Sequence, residues 1–425
     1  MDADDILFQP FTLGKLVVDG RVCKTATSET RASADGFVTD ELLAFYEPIA
    51  RAGTPLIISG NLFVSREGKS TYRMCGADAP DKVPGLKRLA DLTHGHGGKL
   101  FGQINHCGRQ VFAKAMGLKR AVSASDVTEK VMGTRPRPLT VEEVKTVVRQ
   151  FAASAQYCRE AGFDGVQIHA GHGYLINQFL SPYTNRRRDE YGGNFDKRLR
   201  FLLDVYRAVR ERVGPDYPLI AKIGGADALT ARAGLNTAEL AEIARILQEE
   251  GLDGVEVTVG HYESGFPMIR GRFDDFFKGL MKEGIGWQLP LVRKTGVTLF
   301  RRPISLIFNR IWPHYEGFNT GYSRAFKKKL KIPVICVGGF LTRPAAAEAV
   351  RQGWCDAVSV GRAMIADPYL YAHFKMNVSG PKCTFCNGCI ARAGRLPVDC
   401  YDKKVKEEKD RVLAQEKLNT GLTGT

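Results

Sequence analysis

The chain has 425 residues, of which 44% are hydrophobic and 25% charged, a balance that fits a soluble globular protein and excludes disordered or fibrous classes. Its formal net charge of +15 invites a nucleic-acid reading, yet residues 261–333 alone hold 14 Lys/Arg against 5 Asp/Glu, and no zinc-finger, RNP or helix-turn-helix pattern accompanies the charge. The acidic start (Met1, Asp2, Ala3, Asp4, Asp5) and the lack of a bilayer-length apolar run lead us to expect a cytoplasmic protein with neither signal peptide nor membrane span.

In chain order, short β-rich runs alternate with longer amphipathic ones. Strands are expected at 22–27, 55–60, 99–105, 165–169, 218–224, 254–260, 333–339 and 357–361. Most are continuously apolar, as strands covered on both faces are. Between them, the stretches 141–160, 198–213 and 237–248 place apolar residues at helical spacing, for example Val144, Val147, Val148, Phe151 and Ala155. Eight strand–helix units predict an α/β protein with a closed (β/α)8 barrel, a TIM barrel, rather than an open doubly wound sheet. Gly171 and Gly173 flank a single residue, which is too weak a signal for a dinucleotide fingerprint, and no Walker pattern occurs.

One unit departs from this regularity. About seventy residues separate the sixth strand from the seventh, where a loop and one helix would suffice. This long basic insert, about 262–318, mixes apolar and basic residues, and it is read as a capping subdomain on the barrel mouth. The alternative is a surface that meets a membrane or an acidic partner. We therefore divide the chain into a barrel over 1–375, interrupted by the insert, and a Cys-rich extension with a charged tail over 376–425.

In such barrels chemistry collects at the C-terminal ends of the strands. The fourth strand ends at His169, and His172 and Tyr174 follow in its loop. Two imidazoles three residues apart can converge on one oxygen and polarise a carbonyl, and a nearby phenol can deliver a proton. Two structural histidines and a tyrosine at a helix start would give the same pattern.

His169, Ala170, Gly171, His172, Gly173 and Tyr174 are followed by Asn177, Gln178, Phe179, Leu180, Ser181 and Pro182. Next come Asn185, Arg186 and Arg187, then Asp189, Glu190, Tyr191, Gly192 and Gly193. Together they closely resemble the signature of the old yellow enzyme-like NADH:flavin oxidoreductases, and the resemblance runs from about Phe8 to Pro368 with the insert as its main gap. It implies an FMN-dependent ene-reductase that takes reducing equivalents from NADH or NADPH. On that resemblance His169 and His172 bind the substrate carbonyl oxygen and Tyr174 is the proton donor; His261 and Tyr262, by their place after the sixth strand, are expected to face the substrate.

The resemblance also implies a flavin site. Thr25, Ala26, Thr27 and Ser28 would lie along the ring, although relatives commonly carry Pro at the Ala26 position, and Gly60 would allow close approach. Gln103 would bond the pyrimidine edge, and Lys222 would stand near the anionic end of the reduced ring. Gly338, Gly339, Gly361 and Arg362 would hold the phosphate after the last two strands. The alternative is an FMN enzyme running in the other direction, such as an amine dehydrogenase, or a dienoyl-CoA-reductase-like enzyme. Ser28, in place of a cysteine, disfavours the cysteinyl flavin common among the amine dehydrogenases.

Four of the ten cysteines, Cys383, Cys386, Cys389 and Cys400, cluster in the C-terminal extension. Their spacing suits an iron–sulfur cluster (4Fe-4S), zinc, or free thiols in a structural segment. Larger relatives carry a cluster at a similar place with C-x2-C-x3-C spacing, one residue longer than here, and continue into a second dinucleotide-binding domain. The expected partners are a small-molecule substrate and a nicotinamide. No nucleic acid is expected.

Overall fold

The computed structural model describes residues 3–229, 233–289 and 291–419. Eight parallel strands close into a barrel: β1 (Val22–Lys24), β2 (Leu56–Ile58), β3 (Lys99–Asn105), β4 (Gly165–Ala170), β5 (Leu219–Gly224), β6 (Gly254–Thr258), β7 (Val334–Val337) and β8 (Ala357–Val360). Neighbours pair in sequence order, and β8 pairs with β1 through Val358 opposite Val22 and Val360 opposite Lys24. That last pairing removes the sheet edges. A short strand, Leu62–Phe63, extends β3.

The strands are nearly all buried on both faces, as their apolar runs foretold. Helix α1 (Asp40–Arg51) follows β2's predecessor in the chain, and α2 (Val83–His94), α3 (Val141–Glu160), α4 (Phe195–Val213) and α5 (Thr237–Glu249) follow in order. The predicted helical stretches agree with α3, α4 and α5 to within a few residues. Capping explains two of the starts: the Thr140 and Asn236 side chains accept from the backbone N–H groups of Glu143 and Glu239, whose carboxylates return the bond.

β1, β2, β6 and β7 end two or three residues earlier than the sequence predicts. After Lys24 the chain leaves the sheet, and the Lys24 ammonium donates to the Thr25 carbonyl at 2.6 Å and to Thr27 Oγ1 at 3.0 Å. The segment 25–28 is therefore turned into the barrel mouth. An N-terminal hairpin, Phe11–Leu13 against Leu16–Val18, was not foreseen. Its Gly14, at φ +58°, was the available turn signal. Phe11, Leu13 and Val18 pack with Leu56, Phe101, Ile220 and Ile335 and close the lower end of the barrel.

Residues 262–318 form short 3-10 turns and the helices Asp274–Lys282, Leu291–Leu299 and Arg301–Ile311. They build a small apolar cluster of their own, in which Ile269, Phe273, Phe276 and Phe277 pack with Ala391 of the C-terminal extension. Insert and extension thus share one core. The insert is fastened to the barrel at its first residues. Glu263 is ion-paired with Arg109, their side chains being 2% and 1% exposed, and accepts from the Tyr183 hydroxyl at 3.0 Å and from the Lys130 N–H at 3.1 Å. A pair this deeply buried is expensive to break from one side, because the remaining charge is left without a counterion. Among the described residues no helix is long and apolar enough to cross a membrane.

Replacing Glu263 with Gln leaves the buried Arg109 guanidinium without its ion-pair partner, and is expected to lower stability by about 3–5 kcal/mol. Urea unfolding followed by far-UV circular dichroism checks this; a midpoint equal to wild type would show that the pair does not secure the insert.

Candidate active site

The residues predicted from the ends of β1, β3, β4 and β5 meet in one cavity of about 250 Å³ at the C-terminal mouth of the barrel. Thr25, Ala26, Thr27 and Ser28 line it together with Gln103, His169, His172, Tyr174 and Lys222, and Tyr262 enters from the insert.

The fourth-strand loop is tightly specified. His172 has φ +57° and Gly173 φ +75°, a left-handed pair that costs a side-chain-bearing residue conformational energy. The loop is held there from outside: Gln110 Nε2 donates to the His172 carbonyl at 2.6 Å, and His172 forms a bridge to His261. A side chain at position 173 would run into Gln110 and His261, so glycine is required by both angle and space. His261 therefore shapes the site by supporting the loop.

Within this frame, His172 Nδ1 lies 3.1 Å from His169 Nε2, and His172 Nε2 lies 2.7 Å from Thr258 Oγ1. His169 Nδ1 accepts the Gly171 N–H at 3.3 Å. That bond leaves a neutral His169 with its proton on Nε2, directed at the same point as His172 Nδ1. The 3.1 Å contact makes His172 Nδ1 the acceptor of that proton, so His172 carries its own on Nε2 and donates it to Thr258 Oγ1. A ligand oxygen entering between the rings would take over the His169 Nε2–H, and because Thr258 can also donate, His172 can offer a second N–H there by changing tautomer.

Burial, followed by the neighbouring imidazole and Lys222, holds His169 well below the ordinary histidine range. Burial, then Lys222, pushes His172 down to about 3. Both rings are neutral at physiological pH. The Tyr174 ring meets His169 edge-on, with centroids 4.9 Å apart. Its hydroxyl is hydrogen-bonded to that of Tyr262, and burial raises both phenols above the ordinary value. Each keeps its proton at neutral pH.

Beneath the imidazoles runs a line of buried polar side chains that the sequence analysis found only in part. Gln103 Nε2 donates to Gln167 Oε1 at 2.6 Å, and Gln167 Nε2 donates to Glu256 Oε2 at 3.0 Å. The same Glu256 oxygen is 2.9 Å from the Lys222 ammonium, which donates to Thr25 Oγ1 at 2.8 Å. Burial alone would raise the Glu256 carboxyl. Lys222 and the surrounding hydrogen bonds outweigh it and hold Glu256 below the usual range. Gln167, Glu256 and Thr258 were missed, although each is a polar residue in an otherwise apolar strand. Lys222 is thus a paired ammonium, so its burial does not by itself require an anionic ligand.

The glycines divide. Gly361 and Gly339 line the cavity, whereas Gly338 and Gly60 do not. Gly338 faces the Asn319 backbone. Gly60 is occupied from the other side: its N–H donates to Glu29 Oε1 at 2.7 Å and to the Tyr46 hydroxyl at 2.8 Å, and a Cβ would strike the Glu29 carboxylate. Its lack of a side chain leaves room for the buried Glu29 carboxyl. Arg362 lines the cavity, but its Nη1 is turned toward the Arg270 carbonyl at 2.7 Å and toward Asn387. Its guanidinium lies 4.7 Å from the centre of the Phe385 ring.

The donor set fits FMN. Two cationic side chains, Lys222 and Arg362, line the cavity together with an amide, Gln103, and several hydroxyls. The carbonyl oxygens of Asn61 and Asn319, in side chains lining the cavity, are buried without a hydrogen-bond partner, as acceptors awaiting a ligand's N–H or O–H groups would be.

The cysteines of the extension are placed differently. Cys389 packs with Ile365 and Val398, and Cys400 with Ala366 and Val405. Burial raises Cys389 to about 12 and Cys400 to about 11. Among the described residues no three His, Cys, Asp or Glu side chains form a group that could hold a metal ion. Cys383, Cys386, Cys389 and Cys400 are free thiols in this structure, and no step of the chemistry is drawn through a metal.

The profile of the NADH:flavin oxidoreductase / NADH oxidase family matches residues 6–293. The chain is 32% identical over 389 residues to an NADH oxidase of Thermoanaerobacter brockii, covering 90% of this chain and 53% of that protein. It is 30% identical over 370 residues to a multifunctional alkene reductase/demethylase OYE of Caballeronia cordobensis, covering 87% of this chain and 48% of that protein. A 2-naphthoyl-CoA reductase complex superposes with a TM-score of 0.78 at 24% identity, covering 96% of this chain and 58% of that one. The chain therefore spans about half the length of these relatives.

Because the imidazoles are neutral in the folded state, stability from this source is complete above about pH 6.5, the ordinary histidine value, and is lost as pH falls toward about 3 for His172. Imidazole 15N spectra are expected to show both His169 and His172 neutral from pH 8 down to about pH 5. A midpoint above 6 for either ring would remove the assignment.

Proposed function

The chain belongs to the NADH:flavin oxidoreductase / NADH oxidase family, and from that premise we propose that it is an FMN-dependent reductase of activated C=C bonds in α,β-unsaturated carbonyl compounds, driven by NADH or NADPH. The observation that carries the reading is the separation of 3.1 Å between His169 Nε2 and His172 Nδ1 with the Tyr174 ring beside them.

Thr25, Thr27, Ser28, Gln103 and Lys222 would hold the flavin ring, with Gly339, Gly361 and Arg362 toward its phosphate. When bound, FMN supplies hydride to the β-carbon of the substrate. The protein's own residues do the rest. A carbonyl oxygen entering between the rings displaces their mutual hydrogen bond and accepts from His169 Nε2–H; His172 gives the second N–H once its proton moves to Nδ1 and the Thr258 hydroxyl turns to donate to its Nε2. Negative charge that develops on the oxygen meets two fixed donors in a site where burial strengthens them.

Tyr174, which holds its proton at neutral pH, delivers it to the α-carbon. Tyr262, hydrogen-bonded to Tyr174, supplies the route by which that proton is replaced. Lys222, paired with Glu256, places a positive charge near the pyrimidine end of the ring. The alkene reductase activity named for the Caballeronia relative supports the same direction of reaction.

The purified protein is expected to be yellow and to release FMN on denaturation. Tyr174→Phe is expected to slow enone reduction by about 10²–10⁴-fold, the range of a lost general acid, while stopped-flow reduction of the flavin by NAD(P)H stays within error of wild type. An equal fall in both half-reactions would exclude the proton-donor role. His169→Ala and His172→Ala should each weaken binding of a para-substituted phenol, read by the flavin charge-transfer band; unchanged affinity would exclude the oxygen pocket.

A further inference from the structure

We propose that the outer face of the insert is a docking surface for an anionic lipid bilayer, which sets the entrance to the active site against the membrane. The consequence for substrate choice, a preference for lipophilic enones, rests on the reductase reading above; the docking itself does not.

The helix Arg301–Ile311 is apolar on two sides. Its inner side supplies Ile304 and Phe308 to the insert's core, and its Ser305 hydroxyl donates to the Phe273 carbonyl at 3.2 Å. Its outer side leaves Leu306, Ile307 and Ile311 exposed at 66%, 56% and 53%. Leu291, Val292, Leu299 and Phe300, on and just after the preceding helix, are exposed at 63–85%. Soluble surfaces rarely leave so many large apolar side chains in one segment without an occupant.

Charge identifies the occupant. Residues 284–315 contain Arg293, Lys294, Arg301, Arg302 and Arg310 and no Asp or Glu. Arg302 and Arg310 are exposed and form no ion pair among the described residues. Exposed apolar side chains interleaved with unneutralised cations match the interface of a bilayer with anionic headgroups. A second copy of this chain would meet the same positive charge.

The surface is continuous with the site. A second cavity of about 160 Å³ is lined by Tyr174 and Tyr262 at one end and by Phe266, Phe276 and Leu289 of the insert. Leu289 stands two positions before the exposed Leu291. An apolar molecule leaving the bilayer near these residues would enter a largely apolar passage that ends at the two phenols.

The test is sedimentation of the full chain with phosphatidylcholine vesicles, with and without phosphatidylglycerol. Binding is expected only to the anionic vesicles and is expected to weaken with salt. Arg302→Gln with Arg310→Gln, and separately Leu306→Gln with Ile307→Gln, should each reduce it about tenfold or more. Both double variants should reduce a small water-soluble enone at the wild-type rate, yet lose turnover of a long-chain enone held in anionic vesicles.

Equal binding to neutral and anionic vesicles, or none to either, overturns the proposal. So does wild-type self-association that the variants abolish, which would assign the face to a second copy. Equal turnover of the vesicle-held enone by variants that no longer bind overturns the delivery role. Failure of the reductase reading is seen separately, as no reduction of the soluble enone by wild type.

Discussion

The buried ion pair between Lys222 and Glu256 is the contact around which this barrel's upper half is organised. An ammonium and a carboxylate on adjacent strands are tolerable in an apolar barrel only if both remain satisfied, and here they are opposite one another in the β5–β6 register. Gln167 donates to the carboxylate, Thr25 accepts from the ammonium, and Gln103 extends the line to β3. The polar line therefore ties four adjacent strands, β3 to β6, to the segment that follows β1. It also sets the field above it: Lys222 helps keep His169 and His172 neutral, and a neutral imidazole can donate from one nitrogen while accepting at the other.

Positions above that layer follow from backbone constraints rather than from side-chain chemistry. His172 occupies a left-handed conformation because Gln110 and His261 grip its loop. Without that grip the two imidazoles would lose their common focus. The geometry of the imidazole pair is thus supplied by residues outside the proposed oxygen pocket, as expected where a site must be preorganised.

The insert and the C-terminal extension act together. Each is too small to enclose a core alone, and their shared cluster around Phe273, Phe276 and Ala391 solves the problem jointly. The Arg109–Glu263 pair fixes where that joint unit begins, directly beside Tyr262. In consequence the phenol that partners Tyr174 is carried by the insert, and the shape of the entrance depends on a region with little sequence regularity of its own.

Much of this was readable in the amino-acid order. Because burial on both faces leaves a continuous local signature, the alternation of apolar runs and helical periods gave the barrel and its eight strands, with several strand ends placed two or three residues too late. The fourth-strand motif and the resemblance it carries marked His169, His172, Tyr174, Gln103 and Lys222, and all of them line one cavity. What folding alone decided were relations between distant residues. That Glu256 neutralises Lys222, that Gly60 yields space to Glu29, and that Arg362 turns one donor to the insert are facts of juxtaposition. No local pattern encodes them, because the partners lie on different strands and loops and meet only once the barrel has closed.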